Sequence, residues 1–259
     1  ILNAARSAAK PRRSRTIAWL RPVAWAATIG VCLAIVIEIA LLPDGNFAYV
    51  ATSTGLAVAS TGLAAADFGT HEHLFLSSGV ADLAVAPGGR RVYAVSRTDD
   101  RIFVIDSDYG DLALRSPTFN SVIAELETGA TPTGIALDPA GERAYVATDA
   151  GTIEIWDIEA GSATRNRPVG ALVSPVPSLT GDVAVDPRGE SLFALTASGE
   201  LLVFDLADPV AAPVQEFVGG SPKDLELDPR GSREFEDAGL VPRVDDGGLV
   251  LGVGWVFHR

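Results

Sequence analysis

The chain has 259 residues, 33 acidic against 20 basic side chains, a formal net charge of −13 and an apolar share of 47 %. A surface this acidic excludes a general nucleic-acid binder, which needs basic patches against phosphate. A single cysteine, Cys32, excludes a disulfide framework and leaves no thiol chemistry for the rest of the chain.

The N-terminus collects Arg6, Lys10, Arg12, Arg13, Arg15 and Arg21 with no acid, and an uncharged stretch runs from Pro22 to Ile37. Everything after these six positives holds 14 basic against 33 acidic residues, about −19. We expect residues 1–37 to be a basic flank and an apolar helix that targets or anchors the protein. The stretch of 16 uncharged residues is shorter than the ~20 that span a bilayer, but residues 17–42 suffice if Arg21 and Glu38 reach the two interfaces. The apolar region of a signal peptide is the alternative, although no small-residue cleavage motif follows it. A buried core helix is a third. The basic flank predicts an inside N-terminus and the remainder outside the cytoplasm, membrane-anchored or exported in the cell envelope. Around Cys32, Ile29-Gly30-Val31 makes a poor lipoprotein cleavage box because Val31 is bulky.

From Glu38 onward one pattern recurs. Pro-x-Gly turns stand at Pro43-Asp44-Gly45, Pro87-Gly88-Gly89, Pro139-Ala140-Gly141, Pro187-Arg188-Gly189 and Pro229-Arg230-Gly231, spaced by 44, 52, 48 and 42 residues. Periods of this size mean propeller blades, solenoid turns or other arrays. Each repeat reads as a short apolar run, the turn, a second run, a small polar loop and a third run. The clearest copy has 134–138, then Arg143 to Thr148, then Thr152 to Asp157; a shift of 48 residues lands on 182–186, Ser191 to Thr196 and Leu201 to Asp205 without a gap. Fourth strands are expected at Val122 to Leu126 and Val214 to Val218. Four short strands per unit make one propeller blade. Asp138, Asp186 and Asp228 open type I turns, where the carboxylate accepts backbone N–H bonds, proline pre-sets φ and glycine takes the exit conformation.

The segment Pro-Thr-Gly-Ile-Ala-Leu-Asp-Pro-Ala-Gly-Glu-Arg-Ala-Tyr-Val-Ala-Thr at 132–148 resembles the YVTN-type β-propeller repeat, and Ala48-Tyr49-Val50-Ala51-Thr52 repeats its end. The resemblance covers roughly Glu38 to Gly231. The chain departs from that family after Tyr-Val, with Ala51-Thr52, Val95-Ser96, Ala147-Thr148 and Leu195-Thr196 in place of Thr-Asn. Thr152 to Asp157 is also similar to a Trp-Asp (WD) repeat strand, without that family's Gly-His pair. The expected fold is therefore all-β: a β-propeller of about five four-stranded repeats over 38–231, preceded by the apolar helix. Residues 232–259 form a degenerate last blade or closing strand, since Glu234, Glu236 and Asp237 fall where blades two to four carry apolar residues. With five repeats and no methionine, we expect an incomplete relative of a larger ring.

In a propeller the innermost strands line a central channel. Aligning the repeats puts Glu38, Asp82, Gly134, Asp182 and Asp224 at one position beside that strand. Four carboxylates there would raise one another's pKa or recruit a cation; alternatively each caps its own strand by accepting backbone N–H bonds. The adjacent loops, with Asp99, Asp100 and Asp149, share the rim and complete the candidate ligand-binding set, because loops on a rigid scaffold are where binding concentrates. His71-Glu72-His73 puts two histidines on one strand face but lacks a third ligand. Asp106-Ser107-Asp108-Tyr109-Gly110-Asp111 lacks the spacing and terminal glutamate of a calcium loop. No catalytic triad order, phosphate-cradling loop, metal set or cofactor motif is present. We expect a non-catalytic module that binds a protein, peptide, glycan or cation through one rim, with no nucleic-acid partner and with the membrane reached through the N-terminal segment. The alternative is an enzyme using the channel-mouth carboxylates with a metal, as propellers resembling lactonases or quinoproteins do.

Overall fold

The computed structural model describes residues 36–60, 72–74, 79–109, 116–177, 179–218, 225–227, 242–245, 248–251 and 255–258. Residues 1–35 of the expected N-terminal segment lie outside them, as do Asp224 and Asp228, whereas 36–41, the end of the 17–42 stretch considered as a membrane span, form a strand and not a helix. The described residues form strands joined by turns, with no helix among them. Sheet 1 takes β1 (Val36–Leu41), β2 (Phe47–Thr52), β3 (Gly55–Ser60) and β4 (Glu72–Leu74); sheet 2 takes β5 (Asp82–Val85), β6 (Arg91–Ser96), β7 (Arg101–Asp106) and β8 (Val122–Glu127). Sheet 3 takes β9 (Pro132–Leu137), β10 (Arg143–Thr148), β11 (Thr152–Asp157) and β12 (Arg167–Val173); sheet 4 takes β13 (Leu179–Val185), β14 (Ser191–Thr196), β15 (Glu200–Asp205) and β16 (Val214–Phe217). In all four, strands pair antiparallel in chain order. The last sheet differs: β17 (Glu226–Leu227), β18 (Pro242–Asp245), β19 (Gly248–Leu251) and β20 (Trp255–His258) are ordered β17-β20-β19-β18.

The turn joining the first two strands has the same backbone bond in sheets 1 to 4, from the glycine N–H to the carbonyl three residues before it, and in sheets 3 and 4 an aspartate carboxylate closes it further. Gly141 N–H reaches the Asp138 carbonyl at 3.1 Å and Gly189 N–H the Asp186 carbonyl at 2.9 Å. The Asp138 carboxylate accepts from Glu142 and Arg143 N–H, and the Asp186 carboxylate from Glu190 and Ser191 N–H. Gly45, Gly89, Gly141 and Gly189 all sit near φ +70° (70, 66, 72 and 71), which glycine adopts without steric cost. Gly89, Gly141 and Gly189 also face the proline of the preceding repeat: a Cβ on Gly89 would stand 3.0 Å from Pro43 Cδ, on Gly141 3.3 Å from Pro87 Cδ, and on Gly189 3.5 Å from Pro139 Cδ. Successive turns therefore stack, and with them successive first strands.

Period-2 alternation sends neighbouring side chains to opposite faces, and here both faces are buried. In β6, Val92 and Ala94 pack toward sheet 1 with Tyr49, Ala51 and Leu56, whereas Tyr93 and Val95 pack toward sheet 3 with Ile135, Ala144 and Val146. In β10, Tyr145 and Ala147 turn to sheet 4 and meet Val183, Leu192 and Ala194. Phe193 and Leu195 face onward to Val218 and Leu225. Each internal interface thus seats an aromatic residue of one second strand on small aliphatic residues of the next, which explains the near-continuous apolar second strands.

The connection from third to fourth strand carries a second repeated device that spacing alone had not revealed. Ser116-Pro117-Thr118-Phe119-Asn120 and Ser162-Ala163-Thr164-Arg165-Asn166 fold back on the aspartate that ends the third strand. Asp106 accepts from Ser116 Oγ at 2.7 Å and from Thr118 Oγ1; Asp157 accepts from both Ser162 Oγ and Thr164 Oγ1 at 2.5 Å. Asn120 (φ 58°) and Asn166 (φ 62°) then return their N–H to the Asp106 and Asp157 carbonyls. This turn launches β12, a strand the sequence pattern had concealed because Pro168 and Gly170 interrupt it. Pro168 is tolerated there because β12 is an edge strand.

Candidate functional site

The hairpin loops between second and third strands all begin at a buried hydroxyl residue: Thr52, Ser96, Thr148 and Thr196. Thr52 Oγ1 donates to the Gly55 carbonyl at 2.8 Å, Thr148 Oγ1 to the Thr152 carbonyl at 3.0 Å, and Ser96 Oγ to Asp99 Oδ2 at 3.0 Å, while Thr196 Oγ1 accepts from Glu200 N–H at 3.0 Å. These are the positions where the chain departs from the Thr-Asn of the YVTN pattern, and here the hydroxyl closes the loop. In sheets 2, 3 and 4 the far side of the loop is held by the residue after the fourth strand: Thr128 N–H to the Asp100 carbonyl (3.0 Å), Ser174 N–H to Gly151 (2.9 Å) and Val218 N–H to Gly199 (2.9 Å).

These loops lie beside the segments that enter the first strands. Val80 N–H donates to the Thr52 carbonyl at 3.0 Å and Asp149 N–H to the Thr131 carbonyl at 3.0 Å. Arg97 Nη2 crosses from sheet 2 to the Thr133 carbonyl of β9 at 3.4 Å. Gly79 presses on the same loop of sheet 1, where a Cβ would stand 2.5 Å from the Ser53 carbonyl oxygen. One end of the sheet array therefore gathers the hairpin loops and the starts of the first strands.

The loop of sheet 2 differs from its counterparts. It has four residues, Arg97-Thr98-Asp99-Asp100, against Asp149-Ala150-Gly151 in sheet 3, Ala197-Ser198-Gly199 in sheet 4 and Ser53-Thr54 in sheet 1. It carries three charges where the others carry one or none. Asp100 also holds the left-handed conformation (φ 50°) at the place where sheets 3 and 4 use Gly151 (φ 76°) and Gly199 (φ 85°). A residue with a Cβ gives up about 1 kcal/mol or more there. Asp99 is held by Ser96 in both directions, its N–H donating to Ser96 Oγ at 3.2 Å.

The carboxylates aligned beside the first strands have different placements. Asp82 accepts from Leu83 N–H through Oδ1 and from Ile135 N–H through Oδ2, each at 2.7 Å, so it joins sheet 2 to sheet 3. Glu38 lies inside β1, opposite Ala51, next to a register shift between Val36 and Glu38, and is exposed. Gly134 and Asp182 fall at matching irregularities of β9 and β13, although the Asp182 side chain lies outside the description. Among the described residues no three His, Cys, Asp or Glu side chains are grouped to hold a metal ion. Glu72 and His73 are in β4, the outermost strand of sheet 1, and His71 falls outside the described residues. The Asp106 carboxylate is engaged by Ser116, Thr118, the Asp108 N–H and Arg91 rather than open to a cation.

Electrostatics bears on the two acids that end the third strands of sheets 2 and 3, Asp106 and Asp157. Burial pushes the Asp106 carboxyl up, but hydrogen bonds from Ser116 and Thr118, then the Asp108 N–H and the Arg91 charge, outweigh it and hold it below the usual carboxylate range. Hydrogen bonds from Ser162 and Thr164 hold Asp157 low as well. Comparison with family models gives no match for this chain, and no curated protein matches it.

Proposed function

We propose that the protein is a non-catalytic binding module on a propeller-type array of the YVTN kind, and that its ligand engages the loop Arg97-Thr98-Asp99-Asp100 with the flanking loop of Asp149. The left-handed Asp100 carries this reading: two sister loops use glycine at that position, and strain retained by a charged residue on a pinned loop is where binding function is to be sought. The four-stranded repeats and the recurrent Tyr-Val strands support the family assignment. The ligand takes the chemistry of the loop: it offers hydrogen-bond donors or a cation to Asp99, Asp100 and Asp149 and an acceptor to Arg97, as a peptide or a polyhydroxylated glycan does. The basic, apolar N-terminal segment supports a location in the cell envelope, with the repeats outside the cytoplasm.

The test is a screen of glycan and random-peptide arrays with the wild-type chain and with Asp99→Asn combined with Asp149→Asn. Ligands that bind the wild type and lose the double variant support the proposal. Equal binding by both chains, or turnover of a lactone substrate by the wild type, would refute it.

A further inference from the structure

Two junctions between neighbouring sheets share one plan and are filled with different chemistry. Where sheet 1 meets sheet 2, the first and third residues of β2, Phe47 and Tyr49, meet the turn Ser116 to Asn120. The Tyr49 hydroxyl donates to Asn120 Oδ1, and the Phe47 ring packs on Tyr109 and Phe119. Where sheet 2 meets sheet 3, the corresponding residues are Arg91 and Tyr93 of β6, with Arg165 and the left-handed Asn166 of the turn Ser162 to Asn166. Arg91 takes the position of Phe47 and Arg165 that of Phe119, so two guanidinium groups replace two rings.

These groups converge. Tyr93 faces sheet 3, and period-2 alternation puts Arg91 on the same face. Burial pushes the pKa of the Tyr93 hydroxyl up, and it is opposed by the Arg165 charge, a hydrogen bond with Arg165 and the Arg91 charge. Both arginines therefore stand at one hydroxyl.

The junction also leaves polar atoms unmatched. Among the described residues, Arg91 Nε, Arg165 Nε and Asn166 Oδ1 are buried without a hydrogen-bond partner, whereas the sister atom Asn120 Oδ1 is satisfied by Tyr49. An unmatched buried polar group is costly, more so on a charged side chain. Arg91 Nη1 reaches Asp106 at 2.8 Å and Arg143 Nη1 reaches Asp157 at 3.4 Å, but no described carboxylate pairs with Arg165. The Arg91 side chain is 27 % exposed and Arg165 is half-buried, so neither is sealed from solvent.

A guanidinium is a planar fork of N–H donors that matches the oxygens of an oxyanion, and a phenolic hydroxyl beside two such forks adds another donor. We propose that Arg91, Arg165 and the Tyr93 hydroxyl form an oxyanion-binding site between sheets 2 and 3, which takes a phosphate, sulfate or carboxylate group of a ligand. β6 begins at Arg91 and ends at Ser96, so this site lies at the end of sheet 2 opposite the loop Arg97 to Asp100 and stands independently of it. In a chain of net charge −13 the general field repels anions, so binding here rests on the two forks.

The test is a titration of the full chain in non-ionic detergent with sodium phosphate and, separately, sodium acetate, at constant ionic strength, followed by NMR of the arginine Nε–H groups. The Nε–H signals of Arg91 and Arg165 should shift saturably while that of Arg188, on the surface beside Glu190, does not. Saturation by phosphate alone assigns the site to tetrahedral anions, and saturation by acetate assigns it to carboxylates; either supports the proposal. Arg165→Gln, which removes the charge, and Arg165→Lys, which keeps the charge without the fork, should each raise the dissociation constant at least about tenfold. If Arg165→Gln fails to fold, Arg165→Lys decides. A wild type that shows no saturable shift with either anion, or an unchanged constant in Arg165→Lys, overturns the proposal.

Discussion

The Tyr49 hydroxyl donates to Asn120 Oδ1 at 2.6 Å across 71 residues of sequence, fastening the second strand of sheet 1 to the loop of sheet 2. Around this bond Phe47, Tyr109 and Phe119 form a triangle of rings with centroids 4.8 to 5.3 Å apart. Removing the hydroxyl by Tyr49→Phe withdraws a buried donor while leaving the ring packing, and should cost about 1–3 kcal/mol. Urea unfolding of the variant reads this; an unchanged midpoint would show that the bond contributes nothing.

Asp82 provides a second fastening between sheets. Asp82→Asn replaces one accepting oxygen by an amide NH₂ group facing a backbone N–H, and should destabilise by about 1–3 kcal/mol. Amide exchange at Ile135 and its β9 neighbours should accelerate by at least tenfold. If exchange there is unchanged while ligand binding is lost, Asp82 belongs to the binding site and not to the scaffold.

Gly89→Ala and Gly45→Ala differ in what surrounds them. Both place a Cβ at φ near +70°, costing about 1 kcal/mol. Only Gly89 would also press on Pro43 at 3.0 Å, since a Cβ on Gly45 meets nothing within 4 Å. Thermal melts should therefore rank Gly89→Ala below Gly45→Ala; equal melting temperatures would mean that the stacked turns yield freely.

Acid should loosen the loops held by Asp106 and Asp157. Both carboxyls are held below their ordinary value, so the folded state binds its proton less readily than the unfolded chain. Their contribution is complete above the unfolded value of about 3.9 and is lost as pH falls toward the lower folded values. Melting temperatures between pH 6 and pH 2 should fall below about pH 4, and Asp106→Asn should flatten part of that limb. An identical limb in the variant contradicts the assignment.

Much of this architecture was legible because its signals are local. Proline and glycine at fixed offsets mark the turns, and the second strands declare themselves because both faces are buried, so alternation gives way to unbroken apolar runs such as Leu192 to Leu195. β12 was hidden because its pattern is that of an exposed edge interrupted by Pro168. The Ser-x-Thr-x-Asn device at 116–120 and 162–166 was visible as letters, but its meaning depends on an aspartate at different distances, Asp106 ten residues before Ser116 and Asp157 five before Ser162. At the site, alignment brought out Asp82 but not its bond to Ile135, since a partner 53 residues away leaves no local trace. The left-handed Asp100 was equally silent, because backbone conformation shows only when the sister loops are seen to place glycine there.

The most direct test of the binding proposal is hydrogen–deuterium exchange of the full chain with and without an array-selected ligand. Binding through the loop end predicts slowed exchange at 97–100 and 149–151, with the edge strands β8, β12 and β16 unaffected. Protection confined to those edge strands, or absent from 97–100, would contradict it.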